Sequence, residues 1–214
     1  MNVNKINKVV RKVTGNIIKR SKKERTKYLN RLKFLKNKPV ARDLLSCGNL
    51  AHSIAGCNKF EKQEIIKGNK PNIAIVSAYN DMLSAHKPYE TYPKIIKKII
   101  NQNGGTCQFA GGVPAMCDGV TQGQVGMELS LFSRDVIAQS TAIALSHNVF
   151  DGALMLGVCD KIVPGLLMGC LAFGHLPIIF VPAGPMSTGL SNSKKSASRE
   201  AYLKNQITKS ELLK

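Results

Sequence analysis

Tryptophan is absent, and acid is scarce: 13 Asp and Glu stand against 31 Lys and Arg, for a net charge of +18. The imbalance is concentrated at the start, where Glu24 is the only acid between Met1 and Lys38. Such a run could attract nucleic acid or an anionic membrane surface. A charge run carries no readout chemistry by itself, however, so the plainer reading is a solvated, Lys-biased helix pair. No apolar core segment accompanies the basic start, which argues against a secretory signal. No C-x-x-C run occurs, and the six Cys lie scattered at 47, 57, 107, 117, 159 and 170. That pattern is no disulfide framework; it points to a reducing, cytoplasmic setting, where Cys at turns more often serve metals or catalysis. Charge is also missing from Ile162 to Ser193, a stretch long enough to cross a bilayer. Pro164, Gly165, Gly169, Gly174, Pro177 and Pro182 break it up, so it reads as buried core rather than a membrane span.

What is present is enough apolar material for a true core, 43% of the chain. Two helical repeats fill the first 36 residues, with Val9, Val10, Val13 and Ile17 in one and Tyr28, Leu29, Leu32 and Leu35 in the other. Cys47 and His52, five apart, invite a metal reading, but without a second pair a packed thiol beside a hydrogen-bonded His is the better expectation. From Pro71 the texture changes. Asn72 to Ser77 is a continuous apolar run, the mark of a strand buried on both faces. A helix over Tyr92 to Ile100 follows, then a short strand at Thr106 to Phe109 and a glycine-rich loop. A helix from about Met127 to His147 comes next, with Leu129, Phe132, Val136 and Ile137 on one face. Strands at Ala153 to Val158 and Ile178 to Val181 flank a helix over Leu166 to Phe173, and a modest helix is expected over Ala201 to Lys214.

Strand–helix alternation with strands buried on both sides predicts an α/β fold: a mainly parallel sheet with helices on both faces, preceded by a basic helical segment. Residues 1–70 form that segment, 71–186 the α/β core, and 187–214 a polar tail. The strand-end loops near Asp81, Asp118 and Asp160 then line one edge of the sheet, where open α/β folds bind their ligands.

Two of those loops share an unusual pair of donors. Cys117-Asp118 and Cys159-Asp160 each set a soft thiol beside a hard carboxylate, and Lys161 follows the second pair. Thiolates suit iron–sulfur clusters, whereas carboxylates suit Mg²⁺ or Mn²⁺. A lone Cys is ordinarily a small buried hydrophobe, and Asp-Lys after a strand is ordinarily a solvated turn. Spacing alone leaves both readings open.

Longer motifs carry a resemblance. They are Ser77-Ala78-Tyr79-Asn80-Asp81-Met82-Leu83-Ser84-Ala85-His86, the loop from Gly111 to Gly123, and Leu156-Gly157-Val158-Cys159-Asp160-Lys161-Ile162-Val163-Pro164-Gly165. Met127 to Leu131, Ser133-Arg134 and Phe173 to Pro177 also fit, as does Cys47 to His52. On these the chain resembles the N-terminal part of the dihydroxy-acid and sugar-acid dehydratase family, on its 6-phosphogluconate branch.

The resemblance implies a hydro-lyase of the Entner–Doudoroff pathway, converting 6-phospho-D-gluconate to 2-dehydro-3-deoxy-6-phosphogluconate and water. It makes Cys159 a ligand of an iron–sulfur cluster, 4Fe–4S rather than 2Fe–2S. Asp118 and Asp160 become ligands of Mg²⁺ or Mn²⁺, and Lys161 the carbamylated lysine completing that site, with Lys161 and Asp160 at the catalytic centre. Relatives making branched-chain precursors carry a cluster Cys where Ala85 stands here, so Cys117 is the replacement candidate. Family chains are much longer: a further cluster Cys, the group abstracting the C2 proton and a C-terminal domain are expected past Lys214. The substrate is a phosphorylated sugar acid, the full-length assembly a homodimer, with no membrane and no nucleic-acid partner. The alternatives are an inactive remnant of such an enzyme, or a basic nucleic-acid-binding module.

Overall fold

The computed structural model of the chain describes residues 6–37, 41–184 and 189–213. Its first element, α1 (Lys8–Lys36), is one continuous helix rather than the expected pair. No proline interrupts it, and Gly15 in its interior costs only about 1 kcal/mol relative to Ala. The Asn7 side chain caps it, accepting from Val9 N at 2.8 Å. None of its residues is buried, so its basic face is solvated as expected. The C-terminal half rests on the body: Arg31 Nη2 donates to the Ala172 carbonyl at 2.7 Å. Tyr28 and Leu32 close over Gly174, where a Cβ would fall 2.6 Å from the Tyr28 hydroxyl.

Two short helices follow, α2 (Cys47–Ile54) and α3 (Lys59–Lys67), started by Ser46 and by an Asn58–Glu61 capping box. The packed-thiol expectation fails here. Leu50, Ser53 and Ile54 take the inward positions of α2, which leaves Cys47 and His52 exposed. What ties this segment to the core is Arg42, whose guanidinium reaches Asp151 and the Gly68 and Lys70 carbonyls.

The core then alternates strand and helix. Its elements are β1 (Asn72–Ser77), α4 (Tyr92–Gln102), β2 (Thr106–Gly112), the one-turn α5 (Asp118–Thr121), α6 (Ser130–Leu145), β3 (Gly152–Leu156), α7 (Ile162–Leu171) and β4 (Ile178–Val181). All strand pairs are parallel, in the order β2-β1-β3-β4. Ala74, Val76, Ala153 and Met155 pack with Ile137, Ile162 and Leu166 of α6 and α7 on one face. Ile75, Cys107 and Leu156 pack with Tyr92, Ile96 and Ile100 of α4 on the other. β1 is therefore covered on both sides, which is what its unbroken apolar run requires. The expected α/β sheet with helices on both faces is the fold observed.

Four local expectations need correction. β2 runs on to Gly112, because a register shift between Ile75 and Val76 lets Gly111 and Gly112 keep pairing with β1. α6 begins at Ser130, after a 3-10 turn over Val125–Leu129, and buries Ser130, Ile137, Thr141, Ala144 and Leu145. Leu129 and Phe132, expected inside, are 55% and 59% exposed. The buried face carries Ser130 instead, whose hydroxyl donates inward to Asp118 at 2.7 Å. α7 starts earlier than expected, at Ile162, with Pro164 in its first turn. The polar tail forms two helices, α8 (Asn192–Leu203) and α9 (Lys209–Leu212), separated at Asn205, which adopts a left-handed φ of 56°. The domain boundary expected at residue 186 lies outside the described residues.

Candidate functional site

The strand order reverses direction between β1 and β3. From β1 the chain moves outward to β2 through α4; from β3 it moves the opposite way to β4 through α7. A crevice at the carboxyl ends of the two strands flanking such a switch point is where open α/β sheets take ligands. The loops after β1, β2 and β3 converge there, and they carry the motifs singled out above.

The loop after β3 is the tightest. A Cβ on Gly157 would fall 2.5 Å from Leu166 Cδ1 and 3.1 Å from Ile162 Cγ2, so a larger residue there would push the side chains of α7 off the strand end. Two residues on, Cys159 takes a φ of 78°, a left-handed conformation rare outside glycine. Strain of this kind costs on the order of 1–3 kcal/mol and gathers at functional sites. It presents the Cys159 thiol, the Asp160 carboxylate and Lys161 at the entrance of α7.

Lys161 joins two loops. Its ammonium pairs with Asp118 from the loop after β2, and with Asp160 Oδ2 at 3.0 Å. Ser130 fixes the other Asp118 oxygen at 2.7 Å. The Lys161 hydrogen bond, then the Ser130 hydroxyl, hold the Asp118 carboxyl below its ordinary pKa. The same pairing with Asp118, and secondarily with Asp160, pushes Lys161 up. The Lys161 side chain is 12% exposed, whereas that of Asp160 is 80% exposed. An open cleft beside them is lined by Asp118, Met127, Glu128, Ser130, Leu131 and Lys161.

The thiols meet at the same place. Burial around the sulfur is the first cause raising the Cys159 pKa, and the neighbouring charges of Cys117 and Asp160 add to it, with Lys161 opposing. Cys159 is exposed as a residue, so its partly desolvated sulfur sits at the mouth of the crevice. All five expected site residues, Cys117, Asp118, Cys159, Asp160 and Lys161, thus belong to two neighbouring loops. Asp81, from the third loop, goes elsewhere: it accepts from Tyr79 Oη at 2.8 Å and Lys87 Nζ at 2.6 Å on the surface. Sequence reasoning missed Ser130 and Glu128 as site residues, although both lie in the matched segment from Met127 to Leu131.

Two carboxylates converging on one positive charge suit a hard cation, since the Lys161 ammonium already marks where positive charge is favoured. Among the described residues no group of three or more His, Cys, Asp or Glu side chains stands close enough to hold a metal, and the Lys161 ammonium has no lone pair, so Lys161 could contribute only in a modified, anionic form. For a cluster, two thiols on adjacent loops provide part of a ligand set.

Cys107 and Cys170 are not part of it. Both are buried, at 0% and 3% exposure, and burial pushes their thiols up to about 12 and about 11. Only thiolate reacts with alkylating agents. In the native chain at neutral pH, iodoacetamide should therefore label the exposed Cys47 and Cys159 ahead of Cys107 or Cys170, whose burial withholds both access and thiolate. Mass spectrometry of timed aliquots reads this, and equal rates would contradict the packing described.

Comparison with known proteins agrees with the geometry. The family profile described as "Dihydroxy-acid/6-phosphogluconate dehydratase N-terminal" matches residues 70–214. Phosphogluconate dehydratase of Pseudomonas aeruginosa is 59% identical over 204 residues, covering 95% of this chain and 34% of the relative. The phosphogluconate dehydratase of Zymomonas mobilis is 54% identical over 208 residues, 97% of this chain and 34% of its own length. A dihydroxy-acid dehydratase of Lachnospira eligens is 41% identical over 152 residues, 68% of this chain and 25% of its own. The chain spans about a third of the length of the phosphogluconate dehydratases it matches. A profile matched across most of the sequence, on the strands and loops that build the crevice, places this chain in the dihydroxy-acid/6-phosphogluconate dehydratase family.

Proposed function

We propose that this chain is the N-terminal portion of a hydro-lyase that converts 6-phospho-D-gluconate to 2-dehydro-3-deoxy-6-phosphogluconate and water. The observation that carries this is the junction at Lys161, which draws Asp118 and Asp160 from separate loops to one point beside Cys159. The named activity of the relatives selects the substrate. Cys159 and Cys117 would hold the iron–sulfur cluster, and Asp118, Asp160 and Lys161, carbamylated, the Mg²⁺ or Mn²⁺. When bound, these groups supply Lewis acidity that eases departure of the C3 hydroxyl and stabilises an enolate next to the carboxylate.

The chain's own residues have distinct parts in this reading. Ser130 holds Asp118 in one orientation through its 2.7 Å hydrogen bond, which leaves the other oxygen to Lys161 and would keep the carboxylate available to hold the cation. Lys161, packed at the mouth of α7, sets the spacing between the two acids. Leu131 and Met127 form an apolar wall of the cleft that keeps water from one side of the substrate. The group removing the C2 proton is supplied from outside this segment, as are further cluster thiolates. The assembled enzyme is a cytoplasmic homodimer in this reading.

The test joins the chain to the remaining two-thirds of the Pseudomonas relative and loads it anaerobically with iron, sulfide and Mg²⁺. Formation of the 2-keto product from 6-phosphogluconate is then measured. We expect turnover from the fusion, none from the 214-residue chain alone, and a loss of about 10²–10³-fold on Asp118→Asn, the scale of removing one electrostatic stabiliser. An inert fusion beside an active parent relative would refute the assignment. Turnover by the chain alone would show that the proton-abstracting group lies within it.

A further inference from the structure

The crevice between β1 and β3 holds one side chain that the site leaves unassigned. His86 closes the loop after β1 and is 0% exposed. Its Nδ1 is buried without a close hydrogen-bond partner, and the Ala78 carbonyl lies against the ring. Its Nε2 lies 3.5 Å from Cys159 Sγ, within reach for the larger sulfur atom, and the contact joins loops 73 residues apart. The ring is held from both ends: His86 N donates to the Leu83 carbonyl at 2.9 Å, and Tyr89 stands against it edge-on with centroids 6.2 Å apart. Tyr89 is itself fixed, donating to the Val181 carbonyl at 3.0 Å and accepting from Ala183 N at 2.8 Å.

Nε2 is the ring nitrogen that faces Cys159 Sγ. A neutral ring carries one N–H, and the two nitrogens are not equivalent here. With the proton on Nδ1 the ring would turn a bare Nε2 toward Sγ, a contact that a proton-free thiolate cannot make. Placing it on Nε2 points it at sulfur. We propose that His86 is a positioning residue for Cys159, donating its Nε2–H to Sγ across the crevice and so fixing the direction in which that sulfur presents itself. The consequence for a cluster rests on the reading of Cys159 as its ligand. A hydrogen bond to a ligating sulfur stabilises the more negative, reduced state and raises the potential.

The first measurement needs no cluster. The chain has 4 His, so long-range proton–nitrogen correlation on histidine-labelled protein resolves each ring. His86 should show the Nε2–H tautomer, and Cys159→Ala should shift its signals while leaving those of His52, His147 and His175 in place. The Nδ1–H tautomer, or signals indifferent to Cys159→Ala, would overturn the contact. The second measurement uses the cluster-loaded fusion and spectroelectrochemical titration. His86→Leu should lower the midpoint potential, and His86→Gln, which keeps an N–H donor and guards against a mere folding defect, should recover most of it. A potential unmoved by His86→Leu, with the tautomer as expected, would break the link to the cluster and count against Cys159 as ligand, while leaving the His86–Cys159 contact established.

Discussion

Arg42→Met is expected to lower the unfolding free energy by about 3–5 kcal/mol, the usual cost of removing one partner from a buried ion pair. Arg42 is the most deeply buried cation described, with its side chain 3% exposed against 17% for Asp151. Nη1 meets Asp151 Oδ2 at 2.9 Å, and Nη2 meets the Gly68 and Lys70 carbonyls at 3.2 and 3.1 Å. The same Asp151 oxygen accepts from Asn72 N at 2.7 Å. One guanidinium therefore closes the helical N-terminal segment onto the amino ends of β1 and β3. Removing it strands a carboxylate and two carbonyls at once. The double variant Arg42→Met/Asp151→Leu removes the stranded charge and should lose less than the single one, though not nothing, because Asn72 N then lacks its acceptor. Urea denaturation followed by circular dichroism measures both. A single-variant loss under about 1 kcal/mol, the scale of an exposed pair, would show that the clamp is solvated in solution.

Cys159→Ser in the joined, cluster-loaded protein is expected to leave less than roughly a hundredth of the parent turnover, since even substitutions outside the ligand shell cost 10–100-fold. Serine fits the space of cysteine and keeps a hydroxyl within reach of His86, so the fold should survive. What changes is the donor, from a soft thiolate to a hard alcohol that binds iron–sulfur clusters poorly. Iron and sulfide content should fall together with activity, and the thermal midpoint of the cluster-free 214-residue chain should stay within about 2–4 °C of its parent, as for a substitution worth no more than 1 kcal/mol in a chain of this size. Full cluster content in the variant would assign the cluster to other thiols. Cys117→Ser, tested beside it, separates the two expected ligands.

Much of this architecture was legible in the sequence. The apolar run at Asn72–Ser77 announces a strand because a strand buried on both faces cannot alternate; Ile178–Val181 is a strand too, but at the sheet edge, with Ile179 62% exposed rather than buried on both faces. The donor pairs at Cys117-Asp118 and Cys159-Asp160 stand at strand ends, and the fold brings those ends together. Periodicity failed where one polar group outweighs several apolar ones. Ser130 turns inward to hold Asp118, while Phe132 of α6 and Leu129 of the turn before it face out. Local pattern also says nothing of contacts made across the chain. Arg42 meets Asp151 across 109 residues, and His86 meets Cys159 across 73; neither pair leaves a periodic trace, so only the folded sheet discloses them.

The pairing of β1 with β3 has a kinetic side. Asn72 and Asp151, bonded at the amino ends of those strands, stand 79 residues apart, with all of β2 between them. Parallel pairing over such a distance must bear its loop-closure entropy before any contact repays it, which makes it a late event in folding. The crevice does not exist until that pairing is complete. During synthesis Cys159 is an ordinary thiol on an open chain, and it gains its neighbours His86 and Cys117 only when the ladder closes. On the proposed assignment of Cys159 and Cys117 to a cluster, iron and sulfide would be delivered to a chain already folded through β3, sheet first and inorganic chemistry after.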